Sequence, residues 1–295
     1  MDDVATETLQ DRRERHARET LRVSAIVICL NEERKIDRCL ASLAWVDELV
    51  VVDAGSTDRT VAIARTHGAT VHTNPWPGFA AQRTFALAQA TGDWVISLDA
   101  DEELEPGLVH EIRAALARCP ADVDGLVMPR KTRYLGRWIT HGEWYPDDKL
   151  RVFRRTRGAC TAEEVHEIFM VPGRTLRLSG HILHYSHDDI AHHVRKVDQY
   201  AGLAAAARHR AGARSSLGRL LSDPIRRALR AYVWRRGFLD GTAGLIISVL
   251  TGLYVFLIHA RLFELELSPA EHARPAPPES RATDALLRSP GAADP

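Results

Sequence analysis

The feature that most constrains the fold is an apolar run that ends abruptly in polar residues, and it occurs twice. Residues 50–60, VVVDAGSTDRT, pass from three valines to an aspartate, and residues 95–103, VISLDADEE, pass from an apolar run to four acidic side chains. Such runs are typical of buried strands. Because a carboxylate is costly to bury without partners, we expect both strand ends to face a cleft.

Strand-like and helix-like segments alternate through the first half of the chain. The pattern predicts strands at 23–30, 48–53, 70–73 and 93–99, and helices at 32–43, 60–67 and 78–90. This alternation indicates an α/β fold with a parallel sheet and helical crossovers. Ligands bind beyond the carboxyl ends of such strands, so Asn31, Asp53 and Asp99 are expected along one edge.

Composition places limits on the rest of the chain. A chain of 295 residues with 45% hydrophobic residues is long enough for an α/β domain and an appendage. The charged segment 1–22 and the proline-rich segment 268–295 are predicted to be disordered tails. The net charge of zero argues against a general attraction to nucleic acid. The four cysteines form no Cys-x-x-Cys pair, which favours reduced thiols in the cytoplasm and makes a zinc site unexpected.

Asp53 and the residues after it have different interpretations. Ser56, Thr57 or Asp58 is predicted to cap the helix that follows, so turn chemistry alone accounts for this polar segment. Asp53 closes an apolar strand, and its carboxylate is suited to accept a hydrogen bond from a donor such as a base N–H.

The second acidic strand end predicts a metal site. Asp99 and Asp101 are separated by one small residue, and their hard oxygen ligands favour Mg²⁺ or Mn²⁺. The alternative is that the acids cap the helix beginning near Pro106, where the helix dipole favours negative charge. We assign capping to Glu103 or Glu105, and metal binding to the two aspartates.

Several motifs together resemble the family 2 glycosyltransferases. They are residues 25–60, GFAAQRTFALAQATGDWVISLDADEEL at 78–104, HGEWYPDDKLRVFRR at 141–155 and VHE at 165–167. The similarity extends over 23–267 and is greatest to the branch resembling lipopolysaccharide core glucosyltransferases. It implies a GT-A fold, a nucleotide-diphosphate sugar donor, a divalent metal ion and inversion at the anomeric carbon.

The resemblance also implies roles for residues of the donor pocket. Asp53 matches the position that recognises the nucleotide base, while Asn31 and Glu32 match the first loop of the pocket. Arg83 is similar to an arginine of the family's donor pocket, and its fork of donors suits phosphate. A surface arginine is the alternative interpretation.

The metal motif of the family gives the acidic residues separate roles. By this resemblance Asp99 meets the ribose or a metal-bound water, and Asp101 ligates the metal ion and bridges it to the diphosphate. Several GT-A enzymes complete the metal shell with a histidine from beyond the main sheet, and His184 matches that order. The alternative is a histidine of the core.

The general base is expected downstream of the metal motif. Many relatives have an acidic pair there, whereas this chain has EEVHE at 163–167. We assign Glu167 as the base, with Asp147 as its competitor, and His166 as a residue that orients a neighbour. Three aromatic residues are predicted either to line an acceptor-sugar site or to pack a hairpin: Trp138, Trp144 and Tyr145.

The last third of the chain has a different pattern. Residues 216–241 combine arginines with leucines in a basic amphipathic pattern, and residues 241–260 contain no Asp, Glu, Lys or Arg. That length is near the roughly 20 residues needed to span a bilayer. The segment is therefore expected to span, re-enter or lie in the membrane interface, to form a dimer contact, or to pack as a buried helix.

These observations predict a catalytic domain at 23–188 and a helical, membrane-associating region at 189–267. The predicted activity is inverting transfer of a hexose, with UDP-glucose as the favoured donor, to a lipid-linked or lipopolysaccharide-core saccharide at the cytoplasmic face of the inner membrane. A homo-oligomer is compatible with the sequence. One alternative is a non-catalytic nucleotide-sugar-binding membrane scaffold. Another is a nucleotidyltransferase, which would need a glycine-rich loop that CLNEERK at 29–35 lacks.

Overall fold

The computed structural model describes residues 21–160, 169–187 and 189–267. The described chain divides into two compact units. The first contains the described residues up to Thr140 and those within Trp144–Ser186, and the second contains His141–Glu143 and the described residues from His187 onward. The sheet lies in the first unit and the three longest helices lie in the second.

One half of the sheet is parallel, as the alternating pattern predicts. Its strands lie in the order β3 (Thr70–Thr73), β2 (Glu48–Asp53), β1 (Val23–Cys29) and β4 (Trp94–Asp99). The register pairs Cys29 with Asp53 and Ile28 with Asp99. The carboxyl ends of these strands therefore form one edge, and the predicted edge positions of Asp53 and Asp99 are confirmed.

The other half of the sheet is mixed. From β4 the order continues through β8 (Asp147–Arg154), β6 (Val123–Tyr134), β12 (Ile182–His184) and β5 (Glu102–Leu104). The pairs β4–β8, β8–β6 and β12–β5 are antiparallel, whereas β6 and β12 are parallel. Four short strands complete the described set: β7 (Arg137–Trp138), β9 (Ala159–Cys160), β10 (Phe169–Met170) and β11 (Arg174–Arg177).

The strands β1, β2 and β4 of the parallel half are largely buried on both faces, which explains why they are apolar runs rather than alternating ones, whereas β3 at the end of the strand order is partly exposed. Every residue of β1 is buried, with Val27 on one face and Ile26 on the other. Helices pack on both faces, and they are α1 (Ile36–Ser42), α2 (Thr60–Thr66), α3 (Phe79–Gln89) and α4 (Pro106–Ala117).

The second unit is built around a long apolar helix. Its helices are α5 (Ile190–Arg210), α6 (Leu217–Leu229) and α7 (Gly241–Leu267), with a π-helical turn at Arg230–Trp234 and a 3₁₀ turn at Gly237–Asp240 between the last two. Both α5 and α6 pack against α7. The segment Gly237–Leu267 is long and apolar enough to cross a membrane, a property that core helices of soluble proteins share.

Helices α2 and α4 begin at the predicted positions, whereas α1 begins at Ile36, four residues after its predicted start, and the caps differ from those expected. Helix α2 begins at Thr60 after the N-cap residue Arg59, which makes no side-chain cap bond, and Asp58 accepts from the Thr60 N–H at 2.9 Å. Helix α4 begins at Pro106 as expected. The prediction that an acidic side chain caps α4 is wrong, because the two candidates are bonded elsewhere.

The two acids before α4 bind side chains of neighbouring elements. Glu105 occupies the N-cap position without a cap bond, and its carboxylate lies 3.3 Å from both Lys131 Nζ and His181 Nδ1. Glu103 accepts from the Tyr185 hydroxyl at 2.8 Å. A nearby cation binds a carboxylate more strongly than backbone N–H groups do, and Pro106 removes one N–H that would need a cap.

We predict that Leu98→Ala destabilises the first unit by about 2–5 kcal/mol, because it opens a cavity beside the central strands. The Leu98 side chain on β4 is 1% exposed. Denaturant unfolding measures the loss. Met170→Ala is the control, because Met170 is 53% exposed and its truncation should change stability by less than about 0.5 kcal/mol. Equal losses in the two variants would contradict this account of the core.

Candidate functional site

Asn31 and Ser56 join the two loops that follow β1 and β2. The Asn31 N–H donates to Ser56 Oγ at 2.8 Å, and the Thr57 N–H donates to Asn31 Oδ1 at 2.8 Å. Asn31 has a φ of 54°, in the left-handed region that asparagine tolerates better than most residues. The Asn31 side chain therefore fixes one loop against the other at the carboxyl edge of the sheet.

The Asp53 carboxylate organises the turn that follows it. It is 3% exposed and accepts from the Gly55 N–H at 3.0 Å and the Ser56 N–H at 2.9 Å, and also from the Ser56 hydroxyl. Gly55 has a φ of 105°, which strongly favours glycine. These bonds explain the polarity at the end of this buried strand. A carboxylate has about four lone-pair sites, and with Cys29 Sγ at 3.7 Å from Oδ1 four donors surround it, so the turn and β1 together hold Asp53 in place.

Glu32 and Glu33 continue the contact between the two loops. The Glu32 N–H donates to Thr60 Oγ1 at 2.8 Å, and the Glu33 N–H donates to Asp58 Oδ2 at 3.2 Å. The Glu32 carboxylate lies 3.9 Å from Lys35 Nζ. The donor-loop residues predicted from the sequence are thus held by backbone contacts, which fixes the shape of the loop.

Two arginines bind the Asp99 carboxylate at the end of β4. Arg83 Nη2 from α3 donates to Asp99 Oδ1 at 2.7 Å, and Arg151 Nη2 from β8 donates to Oδ2 at 2.7 Å. Arg83 is 9% exposed, so the interpretation of it as a surface arginine is wrong. Burial would raise the pKa of Asp99, but the Arg151 and Arg83 guanidinium groups hold it well below its ordinary range.

The same cluster neutralises Glu102, which is fully buried. Arg151 Nη2 donates to Glu102 Oε1 at 2.7 Å, and Arg130 Nη1 from β6 donates to the same oxygen at 2.8 Å. Glu102 Oε2 accepts from the Asp99 N–H at 3.1 Å. The crowded acids of this turn are therefore compensated in part by guanidinium groups, which the sequence analysis did not assign.

Asp101 lies beside His184 on the far side of this turn. The Asp101 Oδ2 to His184 Nε2 distance is 3.4 Å, and His184 Nδ1 lies 3.2 Å from the Thr132 hydroxyl. Strand β12 brings His184 here because it pairs antiparallel with β5, and the Tyr185 N–H donates to the Asp101 carbonyl oxygen at 2.9 Å. Two of the three predicted metal ligands are thus adjacent.

This pair fits a divalent ion in the chemistry of its donor atoms. It offers a carboxylate oxygen and an imidazole nitrogen, and the hydroxyl of Thr132 orients the ring, as outer partners of metal-ligating histidines do. Among residues 21–160, 169–187 and 189–267, no group of three His, Cys, Asp or Glu side chains is arranged to hold a metal. The remaining ligands would therefore come from substrate and water. The Asp99 oxygens are engaged by arginines, which favours an indirect role for Asp99.

The structure describes only one of the two candidates for the general base. Glu167 lies outside the described residues. Asp147 is held by Arg130 Nε at 2.9 Å and Lys149 Nζ at 2.8 Å. Burial would raise the pKa of Asp147, but Arg130 and Lys149 outweigh it and hold the pKa below its ordinary value. A carboxylate with a lowered pKa is a weaker base, so the structure favours a positioning role for Asp147.

A cavity of about 350 Å³ opens beside the arginine-bound Asp99. Its lining is rich in cationic side chains and consists of Arg83, Asp99, Val127, Arg130, Asp148, Lys149, Leu150, Arg151 and Phe169. Four of these nine residues are basic and two are acidic, and the four basic side chains also pair with Asp99, Glu102 or Asp147. The lining therefore presents cationic donors that an anionic ligand would share with these carboxylates.

The aromatic residues form two separate groups. Trp138 packs edge-on against Tyr185 with ring centroids 5.5 Å apart, and the Arg38 guanidinium lies 4.3 Å from the Tyr185 ring centre. Trp144 packs edge-on against Tyr134, whose ring is 1% exposed. Trp144 therefore has the packing role, whereas Trp138 lies next to the residue that follows His184.

Arg130 and Arg151 are the site residues that the sequence analysis missed. Each lies on a strand next to one buried residue, Pro129 or Val152, and they are 18% and 7% exposed in their side chains. Charged residues are rarely buried unless they are paired. An arginine inside the otherwise apolar LRVF at 150–153 was therefore a signal that a buried acid required a partner.

Parallel strands with loop-bound amide and acidic side chains at one edge, next to an acid–histidine pair, define a GT-A type glycosyltransferase domain. The chain belongs to Glycosyl transferase family 2, whose family model matches residues 24–170. The predicted family, fold class and transferase activity are confirmed.

Two relatives cover most of the chain. The lipopolysaccharide core biosynthesis glycosyltransferase LpsC of Rhizobium meliloti is 30% identical over 254 residues, covering 81% of this chain and 94% of its own length. A glycosyltransferase of Rickettsia typhi is 33% identical over 259 residues, covering 83% of this chain and 88% of its own.

Solved structures show similarity at lower identity. Glucosyl-3-phosphoglycerate synthase from Mycobacterium tuberculosis, in complex with Mn²⁺, uridine diphosphate and phosphoglyceric acid, is 19% identical with a TM-score of 0.46, over 71% of this chain and 84% of that one. Staphylococcus aureus TarS 1–349 is 18% identical with a TM-score of 0.43, over 82% of this chain and 92% of that one.

We predict that Arg151→Met destabilises the protein by about 3–5 kcal/mol, because it leaves buried carboxylates without their shared cation. The ionised form of Asp99 stabilises the fold above its ordinary pKa near 3.8, and this contribution is lost as the pH falls through its lowered value. Removing Arg151 raises that pKa, so acid unfolding should begin at a higher pH in the variant. Circular dichroism during an acid titration measures the shift.

Arg174→Met is the matched control for this variant. Arg174 also pairs with an aspartate, Asp122 at 2.9 Å, but both side chains are exposed. Exposed pairs contribute little, so the acid transition should stay at the wild-type pH. An unchanged transition in Arg151→Met would contradict the role given to the buried cluster.

Proposed function

We propose that the protein transfers a hexose, with glucose favoured, from a nucleotide-diphosphate sugar to a lipid-linked or lipopolysaccharide-core saccharide with inversion. UDP-glucose is the proposed donor. Membership of a glycosyltransferase family supports the reaction class, and the similarity to LpsC, a glycosyltransferase of lipopolysaccharide core biosynthesis, supports the acceptor class. The nucleotidyltransferase alternative is set aside by the family.

The observation that carries this proposal is the Asp101–His184 pair next to the arginine-bound Asp99. It supplies an oxygen and a nitrogen ligand at the edge of the sheet where ligands of α/β folds bind. Beside it, the basic cavity is suited to the phosphates of a nucleotide sugar. Together they provide the two features that a diphosphate leaving group requires: a cation site and donors for its oxygens.

The remaining donor-pocket residues follow from their positions in the loops. Asp53 accepts from the nucleotide base, and Asn31 and Glu32 shape the loop beside it. Arg83 lies on the cavity wall, where it binds phosphate oxygens and orients Asp99. Asp99 meets the ribose or a metal-bound water.

Asp101 and His184 would hold the metal ion. A bound Mg²⁺ or Mn²⁺ would supply positive charge against the negative charge that develops on the departing diphosphate. His184 can ligate only through its neutral imidazole, and its contact with Thr132 leaves Nε2 directed at Asp101.

The transfer is a single displacement. The acceptor hydroxyl oxygen forms a bond to the anomeric carbon as the bond from that carbon to the diphosphate oxygen breaks, and the electron pair leaves with the diphosphate. Glu167 takes the hydroxyl proton as general base. Trp138 beside Tyr185 offers an aromatic surface for an acceptor sugar ring.

A lipid-linked acceptor places the enzyme at the cytoplasmic face of the inner membrane. The arginine-rich α6 and the apolar α7 support this location. An enzyme held at the surface meets such an acceptor at a high effective concentration.

The proposal is tested by screening nucleotide sugars for thermal stabilisation of the protein and for release of free nucleotide, with and without Mn²⁺. A donor present at about a hundred times its Kd should add about 2.7 kcal/mol of apparent stability. UDP-glucose should be the strongest ligand and should be consumed. Failure of every nucleotide sugar to bind or react would overturn the proposed function.

We predict that Asp101→Ala abolishes Mn²⁺-dependent donor binding and turnover while leaving the fold intact, because it removes the proposed oxygen ligand. Thermal shifts with UDP and Mn²⁺, and nucleotide release, measure the effect. Asp122→Ala, at an exposed position remote from β5, is the control and should retain both properties. Wild-type activity in Asp101→Ala, or full activity of the wild type in EDTA, would refute the metal assignment.

We predict that Glu167→Gln retains donor affinity and lowers turnover by about 10² to 10⁴, because it removes the general base and preserves the size of the side chain. Donor binding is measured by calorimetry, and turnover by single-turnover transfer to acceptor. Asp147→Asn is the comparison, since its pairs with Arg130 and Lys149 point to positioning. If Asp147→Asn shows the larger loss in turnover, the assignment moves to Asp147.

A further inference from the structure

Helices α6 and α7 form an antiparallel hairpin within the second unit. Ser215 at the start of α6 donates its N–H to Glu266 Oε1 at 3.0 Å, and Asp223 Oδ2 lies 3.2 Å from His259 Nε2. A methyl group on Gly252 would lie 2.9 Å from the Pro224 carbonyl oxygen, so the two helices touch there. Helix α6 therefore runs along α7 from its carboxyl end to beyond its middle.

The hairpin exposes an apolar stripe along α6. Its members are Leu217, Leu221, Ile225 and Leu229, whose exposed fractions are 69%, 61%, 61% and 48%. They recur every four residues and therefore share one side of the helix. Four large aliphatic side chains in a row on a solvent face mark an interaction surface.

Arginines lie on another side of the hairpin from the apolar stripe. Arg219, Arg226 and Arg230, the last at the start of the π-helical turn, are exposed, and a helical wheel places them roughly 120° to 160° from the centre of the stripe. Asp223 is the only acidic residue of α6. A helix with an apolar face and a cationic face is the type that lies in the interface of an anionic membrane.

The turn between the two helices continues the exposed apolar surface. Trp234 is 75% exposed, and Phe238 and Leu239 are 47% and 49% exposed. Tryptophan favours the boundary between headgroups and acyl chains, where its ring is buried and its N–H stays hydrated. Arg235 and Arg236 beside it are also exposed, so the turn is cationic as well as apolar.

The hairpin excludes a simple crossing of the membrane by α7. Arg226, whose side chain is 75% exposed and pairs with Asp223 at 2.7 Å, lies between Pro224 and Ala228, the α6 residues packed near Gly252 in the middle of the apolar run of α7. If α7 crossed a bilayer with α6 packed on it, the Arg226 guanidinium would enter the hydrocarbon. An exposed charge at that depth is strongly disfavoured.

We infer that the α6–α7 hairpin is a monotopic membrane anchor that lies in one leaflet of an anionic bilayer and does not cross it. The apolar stripe and Trp234 enter the acyl boundary, and the exposed Arg219, Arg235 and Arg236 bind lipid phosphates. The inference rests on the membrane location in the proposed function and specifies its form. It assigns lipid, rather than a second copy of the chain, to the apolar stripe because the exposed charge of the hairpin is mainly cationic.

Vesicle flotation of the full chain tests whether the α6–α7 hairpin binds anionic lipid. We expect binding to vesicles containing phosphatidylglycerol, weaker binding to phosphatidylcholine alone, and partial release as the salt rises from about 0.1 M to about 1 M. The double variant Leu221→Ser/Ile225→Ser should weaken partitioning by on the order of tenfold or more per side chain, since each loses apolar burial. Undiminished flotation of that variant would overturn the inference.

Two control variants change the same residue types on α5. Val194→Ser/Leu203→Ser alters exposed apolar residues, and Arg195→Gln/Arg208→Gln alters exposed arginines. Both should float as the wild type does, whereas Arg219→Gln/Arg235→Gln should lose the preference for anionic vesicles. An equal loss in the α5 variants would overturn the assignment of binding to the hairpin.

A topology assay separates a monotopic anchor from a spanning one. An epitope tag is appended after Pro295, and the protein is bound to sealed phosphatidylglycerol vesicles and treated with protease from outside. In a monotopic protein the tag stays on the side of the catalytic unit and is removed. A tag protected until detergent is added shows that α7 crosses, which overturns the inference.

Two further measurements distinguish failure of the membrane anchor from failure of the proposed function. Nucleotide release from the donor without acceptor or lipid should be the same in Leu221→Ser/Ile225→Ser as in the wild type. If the wild type releases no nucleotide from any donor, that result counts against the proposed function but not against the membrane anchor. Light scattering reports self-association. A lipid-free dimer that Leu221→Ser/Ile225→Ser dissociates, without any effect on flotation, would assign the stripe to a second copy and overturn the inference.

Discussion

The buried contact of Arg151 with Asp99 and Glu102 is the interaction on which the first unit depends. Arg151 lies on β8, at the point where the sheet changes from parallel to antiparallel, and its two carboxylate partners lie on β4 and β5. The cluster allows acidic residues to follow an apolar strand without mutual repulsion. It also holds the turn that carries Asp101, because Asp101 lies between the two bound acids in sequence.

The second constraint is the pairing of β12 with β5. This pairing brings a histidine from late in the catalytic unit next to an aspartate from its middle, and hydrogen bonds along the strands fix the approach. The proposed metal site would have one protein ligand on a strand and one on the adjoining turn, and would leave positions for substrate oxygens. Ion and donor would then bind together, since each supplies part of the other's site.

The sequence was sufficient to predict the parallel half of the sheet, but not which side chains pair with the acidic residues at its strand ends. Strands β1, β2 and β4 were predictable because each is a short apolar run ended by polar residues, and β3 (TVHT) because it is short and rich in β-branched residues. The loops were only partly predictable: Asp58 accepts from the start of α2, while Glu103 and Glu105 are bonded to side chains instead of capping α4. Arg130 and Arg151 were missed because their partners are distant in sequence, and only the folded sheet brings them together.

In the proposed function, the first unit carries out sugar transfer and the second unit binds the membrane that holds the acceptor. The described residues assigned to donor, metal and proton chemistry lie in the first unit, whereas the apolar stripe and its arginines lie in the second. Under the proposed function, changes in the hairpin would act on the rate at which a membrane-borne acceptor is met, and they would leave the bond-making step to the first unit. Such a division lets the surface of α6 adapt to the charge of a membrane without altering the sheet edge, because buried arginine pairs fix that edge independently of lipid.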